Sequence, residues 1–485
     1  MADAHSPTTP PNQRTLVMKF GGTSVGTPEA MTQAVEIVRR ARQDWPRLVV
    51  VTSALSGVTN LLLNGAQRAA GSDGQTYPQG AAEMRDRHHR LISKLVADHA
   101  CQLQVRKEVD HLIQEFNNLC GAIQVLGEAS PRALDAVASL GERMCIRVLA
   151  AAIASVGLEA EPVEASRLIV TDDLYQAANP DYPATERCTH EILNPLLDQG
   201  RIPIVTGFIG ATPAGMVTTI GRGGSDFSAA ILGSVLPADE VWIWTDVDGV
   251  MTADPRLVPA AKTIPVISYR EISELAYFGA KVLHPKSIRP VIEAGIGLRV
   301  LNTFNPEFPG TRLVLENGSH EDGVIKAVTA IRGLKLITVE GRGMLGVPGV
   351  AARTFGAVAA SGVSVPLITQ ASSEQSICFA IPAEYSPAVL SSLQKSFAHE
   401  IERRDIDQIN ASDEVVIITV VGAGMRHTPG VSGRIFSALG REGVNVIAIA
   451  QGSSEVSISL VVDPGDIQQA VRCLHELTAV SEKGN

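Results

Sequence analysis

The sequence predicts an α/β protein in two parts: a front built on a mostly parallel sheet sandwiched by helices, and a back containing two βαββαβ-type modules. Three observations support this prediction. The 485-residue chain is long enough for two to four domains, and its 43 glycines and 4 % aromatic residues are typical of α/β proteins. A strand, a glycine turn, a helix and a second strand follow one another near its start. An internal repeat occupies its last part.

The front begins with a βαβ unit. Residues 16–20 form a short apolar run that ends at two glycines, and residues 30–42 have helical spacing. Residues 47–52 contain Leu-Val-Val-Val, an apolar run typical of a buried parallel strand. A right-handed crossover is expected for such a unit.

A helical insertion interrupts the strand pattern. Residues 60–155 are rich in charged side chains and helical in period, with Pro131 as a breaker. Strand-like apolar runs then return, and we expect strands at residues 202–206, 241–245 and 298–302. Pro306, Pro309 and Gly310 follow the last of these runs and mark a domain boundary.

The back of the chain is an internal duplication. Residues 370–374 read Gln-Ala-Ser-Ser-Glu and residues 451–455 read Gln-Gly-Ser-Ser-Glu. Each copy has the pattern of a βαββαβ module that lacks one strand, and residues 324–331 offer a strand that would make the copies interleave. Duplicated small modules near a C-terminus more often sense than catalyse, so we expect the chemistry in the front.

These patterns define the expected domain limits. We expect a disordered tail over residues 1–13, a catalytic domain over 14–308 with its helical insertion at 60–155, a linker with a strand over 309–332, and two repeat modules over 333–405 and 413–480.

Composition excludes several classes of function. The net charge of −10 argues against nonspecific nucleic-acid binding, and the sequence has no apolar run of 18 residues for a membrane span. None of the six cysteines pairs as C-x-x-C, which argues against a zinc site or a disulfide framework. Free thiols are typical of a reducing compartment, so we expect a cytoplasmic protein without a resident metal.

Glycine turns at predicted strand ends are the candidate sites. Lys19 precedes Gly21 and Gly22, and such glycines let backbone N–H groups approach an anion while the lysine adds positive charge. Gly221-Arg222-Gly223-Gly224-Ser225-Asp226 opens a helix, whose N-terminus favours an anion. The alternatives are a solvated strand end at Lys19 and a simple helix cap at Asp226.

Two further segments complete the set. The segment Thr245-Asp246-Val247-Asp248-Gly249 ends a predicted strand. Ligands of open parallel sheets bind beyond the carboxyl ends of the strands, so this segment is a candidate site, and an ordinary Asp-Gly turn is the alternative. Residues 279–285 contain Lys281, a second candidate lysine for the site. The alternative is a lysine that only stabilises the C-terminal end of a helix. From three strand ends, Lys19, Arg222 and Lys281 can converge on phosphates.

Together these segments resemble the aspartokinases of the amino-acid kinase superfamily. The resemblance follows the order and spacing of Lys19-Phe20-Gly21-Gly22-Thr23-Ser24-Val25, Thr219-Ile220-Gly221-Arg222-Gly223-Gly224-Ser225-Asp226, Trp244-Thr245-Asp246-Val247-Asp248-Gly249, Asp254-Pro255-Arg256 and Phe278-Gly279-Ala280-Lys281-Val282-Leu283-His284-Pro285. The repeats resemble paired ACT domains. The resemblance therefore implies an amino-acid kinase fold followed by two ACT-type regulatory domains.

The resemblance also implies a reaction, in which ATP with Mg²⁺ phosphorylates the β-carboxylate of L-aspartate. This reaction is the first step of lysine, threonine and methionine biosynthesis. The residues implied as catalytic are Lys19, Gly21, Gly22, Asp226 and Lys281. Those implied to hold aspartate are Thr59, Glu142, Arg222 and Ser225. Those implied to hold the nucleotide are Lys19, Phe20, Gly21, Gly22, Thr245, Asp246, Met251, Arg256, Lys281 and Val282. Some members have tyrosine where this chain has Met251, so apolar packing replaces a ring contact there.

The regulatory part resembles that of the bifunctional aspartokinase–homoserine dehydrogenases. Those proteins are typically threonine-sensitive, whereas lysine-sensitive members tend to carry aspartate at the position of Pro366, so we favour threonine over lysine as effector. The candidate effector residues are Gln370, Gln451, Met344 and Met425, although both glutamines have a structural alternative as caps of a strand edge. The chain ends at Asn485, and no dehydrogenase activity is expected.

Paired modules with exposed sheet edges tend to associate, so we expect a homodimer or tetramer formed through the repeats. Two competing functions remain at this point. One is a related kinase acting on glutamate, acetylglutamate, carbamate or UMP, and the other is a catalytically silent amino-acid sensor.

Overall fold

The structure is a computed structural model that describes residue 10 and residues 13–279, 283–315, 324–344, 347–370, 375–452 and 455–478. The tail expected over residues 1–13 lies almost entirely outside this part. The strands of the described residues are β1 (Thr15–Phe20), β2 (Arg47–Thr52), β3 (Ala160–Val163), β4 (Ile202–Thr206), β5 (Ile209–Ala211), β6 (Val217–Thr219), β7 (Glu240–Thr245), β8 (Val266–Ser268), β9 (Gly297–Asn302), β10 (Thr311–Val314), β11 (Ala327–Glu340), β12 (Leu367–Gln370), β13 (Ser376–Pro382), β14 (Gln408–Val421), β15 (Ala448–Gln451) and β16 (Ser457–Val462).

The helices of the described residues are α1 (Gly22–Val25), α2 (Pro28–Asp44), α3 (Val58–Ala70), α4 (Thr76–Leu95), α5 (His99–Leu126), α6 (Pro131–Ala154), α7 (Tyr182–Asp198), α8 (Gly224–Val235), α9 (Tyr269–Tyr277), α10 (Pro285–Glu293), α11 (Val350–Ala360), α12 (Ser386–Ser396), α13 (Ala398–Glu402), α14 (Val431–Arg441) and α15 (Ile467–His475). In this part of the chain, none of the helices has the length and apolar character needed to cross a membrane.

The chain divides into two compact units. The first unit contains residues 1–250 and 283–315, and the second contains residues 251–282 and 316–485. Sequence reasoning expected one continuous domain over residues 14–308, but the segment after β7 packs with the C-terminal part. The reason is long-range: Ala253 and Val258 belong to a hydrophobic core of the second unit.

The first unit is built on a mostly parallel sheet. Its strands run in the order β3-β4-β2-β1-β7-β9-β10, and every neighbouring pair is parallel except β9 with β10, which is antiparallel. All six residues of the central strand β1 are buried, as expected for a strand covered on both faces. This arrangement confirms the predicted α/β fold of the front.

A layer of four long helices, α3 to α6, accounts for the helical segment between β2 and β3. Their apolar faces meet in one core that contains Leu62, Phe116 and Leu140. Pro131 is the first residue of α6, where the missing N–H of proline costs no helical hydrogen bond, and the Ser130 hydroxyl accepts a hydrogen bond from the backbone N–H of Ala133. The predicted breaker therefore starts a helix.

The two repeats share one antiparallel sheet of six strands in the order β12-β13-β11-β14-β16-β15. The 14-residue strands β11 and β14 pair along their length, with register shifts between Ile331 and Leu334 and between Lys335 and Ile337. One half of each long strand serves each repeat, because β13 pairs with residues 334–340 and β16 pairs with residues 416–421. The strand missing from each repeat is thus supplied by the other, so the copies interleave.

Helix α9 is anchored to the second repeat by buried polar contacts. Glu271 is fully buried, and its carboxylate accepts hydrogen bonds from the Ser268 N–H and hydroxyl and from the Ala423 N–H, the last at 2.7 Å. The Lys326 ammonium lies 3.5 Å from the same carboxylate. These contacts explain why the segment before residue 280 packs with the C-terminal unit.

Candidate active site

A cavity of about 650 Å³ opens in the first unit near the carboxyl end of β1. From β1 the chain continues to β2 on one side, whereas β7 lies on the other side, so the strand order reverses direction at β1. In open parallel sheets, such a reversal creates a crevice beyond the carboxyl ends of the strands. The cavity is lined by Lys19, Ser53, Thr59, Leu63, Leu134, Asp135, Ala138, Glu142, Gln176, Phe208, Thr219, Gly221, Arg222, Gly223, Gly224, Ser225 and Asp226. Six of the residues proposed from the sequence therefore share one cavity.

Lys19 and Asp226 form an ion pair across this cavity. The Lys19 Nζ lies 2.5 Å from Asp226 Oδ1, and the two side chains are only 11 % and 15 % exposed. Lys19 comes from the end of β1, and Asp226 from the first turn of α8. The pair holds a largely desolvated ammonium at the carboxyl end of the central strand, where it is available to an anionic ligand.

Gly21 and Gly22 form a turn after β1 in which close packing requires glycine at position 22. The Gly21 N–H donates to the Trp244 carbonyl at 3.2 Å, which ties the turn after β1 to β7. A Cβ on Gly22 would lie 2.9 Å from the Ala54 carbonyl oxygen, too close for any other residue. The turn and the loop after β2 therefore pack backbone to backbone beside Lys19.

Glu142 is a buried carboxyl group with an unsatisfied oxygen. It is 3 % exposed, and its Oε1 accepts a hydrogen bond from the Ala54 N–H at 3.2 Å, whereas no described residue hydrogen-bonds its Oε2. Burial raises the pKa of Glu142 to about 8. Such a group favours a cationic partner, which a ligand in the cavity can supply.

The turn before α8 places Arg222 and Ser225. Gly221 and Gly223 adopt left-handed backbone conformations with φ of 83° and 67°, which glycine tolerates without strain. Arg222 lies between them with an exposed side chain, while Ser225 is buried beside Gly207. A Cβ on Gly207 would lie 2.6 Å from the Ser225 hydroxyl oxygen, so Gly207 makes room for that side chain.

Several cavity residues were missed by sequence reasoning, chiefly Asp135, Gln176 and Phe208. Gln176 and Phe208 have left-handed backbones with φ of 70° and 67°, a conformation that the sequence does not reveal in residues other than glycine. Asp135 had a signal: it lies seven residues before Glu142 on α6, and residues at that spacing share one helix face.

The proposed nucleotide residues of the first unit lie at the ends of β1 and β7. The Thr245 hydroxyl donates to Asp246 Oδ1 at 3.2 Å, and Asp246 is exposed. The ring of Phe20 stacks on that of Trp244, with centroids 6.1 Å apart. Neither Thr245 nor Asp246 lines the cavity described above.

Two further proposed nucleotide residues do not belong to this unit. Met251 and Arg256 lie in the second unit, where the Met251 sulfur accepts a hydrogen bond from the Thr263 hydroxyl at 3.5 Å. The Arg256 guanidinium pairs with Asp254 at 2.6 Å. Lys281 and Val282 lie outside the described residues.

A second cavity, of about 310 Å³, lies in the second repeat. It is lined by Met425, His427, Thr428, Pro429, Val431, Ser432, Gln451, Glu455 and Ile458. Two proposed effector residues, Gln451 and Met425, therefore share it. In the first repeat, Gln370 is exposed at the end of β12 and Met344 is buried, but residues 345–346 and 371–374 beside them lie outside the described part.

The described residues contain no cluster of three or more His, Cys, Asp or Glu side chains arranged to hold a metal ion. Mg²⁺ needs no such cluster when it is bound to ATP, because it keeps its waters and the phosphate oxygens and takes one or two carboxylates from the protein. Asp226 provides a carboxylate at the cavity. The donor set thus fits Mg²⁺ that enters with a nucleotide.

Comparison with known proteins identifies both halves of the chain. Residues 14–302 match the amino acid kinase family, and residues 337–397 and 418–477 match the ACT domain. The chain is 37 % identical over 476 residues to bifunctional aspartokinase/homoserine dehydrogenase 2, chloroplastic, of Arabidopsis thaliana, covering 96 % of this chain and 51 % of that protein. The chain thus spans about half the length of this relative.

Other relatives match over most of their own length. Aspartokinase 1, chloroplastic, of Arabidopsis thaliana is 32 % identical over 471 residues, which cover 95 % of this chain and 80 % of that protein. Aspartokinase III of E. coli superposes with a TM-score of 0.80 in its complex with aspartate and ADP, and of 0.77 in its complex with lysine and aspartate. Both superpositions have 30 % identity and cover 96 % of this chain and 99 % of that one.

The sheet, its cavity and the matched residues make this chain a member of the amino acid kinase family, with ACT domains behind the kinase fold. Within that family it belongs to the aspartokinases, because the similarity extends over almost all of its length and most of theirs.

Proposed function

We propose that this protein transfers the γ-phosphoryl group of ATP to the β-carboxylate of L-aspartate, giving 4-phospho-L-aspartate and ADP. One observation carries the proposal: a single cavity combines the cations Lys19 and Arg222 with the unsatisfied buried carboxyl group of Glu142. An amino acid with two carboxylates and one ammonium matches this set of charges. The aspartate and ADP bound to E. coli aspartokinase III support the same substrates.

The chemistry requires no general base. The β-carboxylate of aspartate has an ordinary pKa of about 3.9, so it is ionised at neutral pH and is already a nucleophile. The protein must align two anions and offset their repulsion, and phosphoryl transfer depends mainly on such positioning and charge stabilisation. A site of lysine, arginine, glycine turns and acids without a catalytic histidine meets this need.

The proposed roles are those implied by the resemblance to aspartokinases, and the cavity shared by Lys19, Glu142 and Arg222 supports them. Arg222 binds the α-carboxylate of aspartate, Glu142 lies near its ammonium, and Thr59 and Ser225 complete that part of the cavity. Lys19 and the backbone of Gly21 and Gly22 hold the transferred phosphoryl group, and Asp226 orients Lys19. The nucleotide is assigned to Phe20, Thr245, Asp246, Met251, Arg256, Lys281 and Val282.

Mg²⁺ is part of the ATP substrate in this proposal. When bound, it neutralises charge on the phosphates. Asp226 is the residue of the cavity that would hold it, while the Asp226–Lys19 ion pair keeps the lysine directed at the same phosphates.

We also propose feedback inhibition by an amino acid at the ACT domains, with threonine favoured over lysine. Three features of the second cavity support a neutral hydroxyl amino acid: the hydroxyls of Thr428 and Ser432, and the amide of Gln451, which both donates and accepts hydrogen bonds. Among the described lining residues, Glu455 carries the one carboxylate, and it already accepts a hydrogen bond from the His427 N–H at 2.9 Å. Lysine is the alternative, since E. coli aspartokinase III binds it.

Assembly through the repeats is part of the proposal. The edge strands β12 and β15 carry Ile368 and Ile449, which are 49 % and 45 % exposed. Exposed apolar edges favour pairing with a second copy, so we expect a homodimer or a tetramer. Sedimentation of the wild type against a variant with Ile368→Lys and Ile449→Lys tests this, and identical masses would contradict it.

The proposed reaction is the first step of lysine, threonine and methionine biosynthesis. A cytoplasmic location stays a prediction from the cysteines, and fractionation of the source cells tests it.

An aspartyl-hydroxamate assay with ATP and Mg²⁺, with and without threonine or lysine, tests the function. Hydroxamate formed from aspartate and suppressed by threonine supports both the kinase and the effector. Suppression by lysine alone keeps the kinase and replaces the effector. No product from aspartate, with the protein folded, points to glutamate, acetylglutamate, carbamate or UMP as acceptor if one of them reacts, and to a silent sensor if none does.

A further inference from the structure

We infer that Asp135 is a positioning residue of the aspartate site, which holds Gln176 and Thr219 and through them fixes the turn that carries Arg222. This inference rests on the proposed function, because it concerns how the α-carboxylate of the substrate is recognised. Asp135 lies on α6, two turns before Glu142 on the same helix face, and is 1 % exposed.

Asp135 joins three chain segments through three hydrogen bonds. Its Oδ2 accepts the backbone N–H of Gln176 at 3.0 Å and that of Thr219 at 2.9 Å. Its Oδ1 accepts the Thr219 hydroxyl at 2.8 Å. A single buried carboxylate thus ties helix α6 to the end of β6 and to the loop before α7.

The Gln176 contact holds a backbone conformation that is otherwise disfavoured. Gln176 has φ of 70°, and a left-handed backbone costs a residue other than glycine on the order of 1 kcal/mol. The hydrogen bond from its N–H to Asp135 offsets that cost. Without this acceptor, the loop is expected to relax away from the cavity that Gln176 lines.

The two segments held by Asp135 support the turn around Arg222. Thr219 ends β6 and precedes the turn by one residue, and its carbonyl accepts the Ala178 N–H at 3.0 Å. The Gln176 carbonyl lies 3.4 Å from where a Cβ of Gly221 would be. Because Gly221 and Gly223 leave the turn intrinsically free, its position depends on these neighbours.

The positioning role of Asp135 needs a hydrogen-bond acceptor more than it needs a charge. Burial raises the pKa of Asp135, although its three hydrogen bonds act in the opposite direction. An asparagine oxygen can accept both backbone N–H groups, and the Thr219 hydroxyl can rotate to accept from the new amide. Alanine can do neither, so the two substitutions separate positioning from charge.

The test compares Asp135→Ala, Asp135→Asn and Thr219→Val by steady-state kinetics with aspartate, ATP and β-alanine, which is aspartate without its α-carboxylate. We expect Asp135→Ala to raise the KM for aspartate by about tenfold, with the KM for ATP unchanged, and to reduce the preference for aspartate over β-alanine by a similar factor. Asp135→Asn should stay within about threefold of the wild type, and Thr219→Val should lie between them. Asp239→Asn is the matched control, because Asp239 accepts the Thr15 N–H at the other end of β1.

Equal losses for Asp135→Ala and Asp135→Asn, or an unchanged preference for aspartate over β-alanine in Asp135→Ala, would overturn the inference. Amide hydrogen exchange gives a readout that is independent of turnover. The amides of Gln176 and Thr219 should exchange at least about tenfold faster in Asp135→Ala, and unchanged exchange would also overturn it. A wild type that is inactive on aspartate refutes the proposed function, whereas the exchange result judges the role of Asp135 separately.

Discussion

Lys19 Nζ and Asp226 Oδ1 lie 2.5 Å apart, joining the end of the central strand to the first turn of the helix that follows the Arg222 turn. The pair is mostly shielded from water, so it is stronger and more rigid than a surface ion pair. It therefore fixes the ammonium in one place before a nucleotide arrives, which is what electrostatic preorganisation of phosphoryl transfer requires.

Lys19→Ala should lower kcat by at least about 100-fold while changing the KM values for ATP and aspartate much less, because the lost charge acts on the transferred phosphoryl group. Steady-state kinetics with both substrates measures this. Lys94→Ala is the control, since Lys94 is exposed and makes a 3.7 Å contact with Glu29. An unchanged kcat would eliminate the assigned role of Lys19.

The pH dependence of stability should carry the signature of Glu142. Its pKa is about 8 in the folded protein against an ordinary value of 4.5, so the folded state binds more protons between these values. The contribution of protonated Glu142 to the free energy of unfolding is fully present below pH 4.5, falls as the pH rises and is lost above pH 8. Chemical denaturation at several pH values should show this slope in the wild type and a smaller slope in Glu142→Gln.

Aspartate binding should release a proton at pH 7. If the ammonium of aspartate pairs with Glu142, it favours the ionised carboxylate, and the proton held by the free protein leaves. Calorimetry in buffers of different ionisation enthalpy should detect a release approaching one proton per site. Release of the same size in Glu142→Gln would assign the proton to another group.

Gly207→Ala should disturb the Ser225 side of the cavity. The added methyl would meet the Ser225 side chain at 2.6 Å, and overpacking of this kind costs about 1–3 kcal/mol. We expect a lower melting temperature and a raised KM for aspartate. Gly121→Ala in α5 is the matched control, because a Cβ there meets no described atom within 4 Å, and alanine should add up to about 1 kcal/mol of helix stability.

Gln451→Ala should weaken the response to threonine without changing activity in its absence. Gln451 lines the second cavity, and its replacement removes an amide that can donate and accept hydrogen bonds. Inhibition curves should shift to about tenfold higher threonine. Gln469→Ala is the control, since Gln469 binds Glu442 outside the cavity, and an identical curve for Gln451→Ala would remove Gln451 from the effector site.

Much of the first unit was predictable because its signals are local. The apolar runs and glycine turns identify the βαβ unit, and the motifs containing Lys19, Arg222 and Asp226 follow strands that the structure brings to one cavity. The role of Glu142 was predicted only from the resemblance to aspartokinases, because a glutamate in a long helix is usually a surface residue.

Other features depend on tertiary packing and leave no local signal. Gly207 differs from an ordinary loop glycine only because Ser225 packs against it. The segment after β7 joins the second unit because Ala253 and Val258 find apolar partners far along the chain. Asp135 shares a helix face with Glu142, but its three hydrogen-bond donors belong to segments whose approach to α6 leaves no nearby pattern in the sequence.

The shared strands β11 and β14 have a consequence for how the regulatory half folds. Each long strand contributes one half to each repeat, so neither repeat has all the strands of its sheet by itself. The two repeats should therefore unfold in a single cooperative transition. A fragment carrying one repeat would expose two half-strands to solvent and to aggregation.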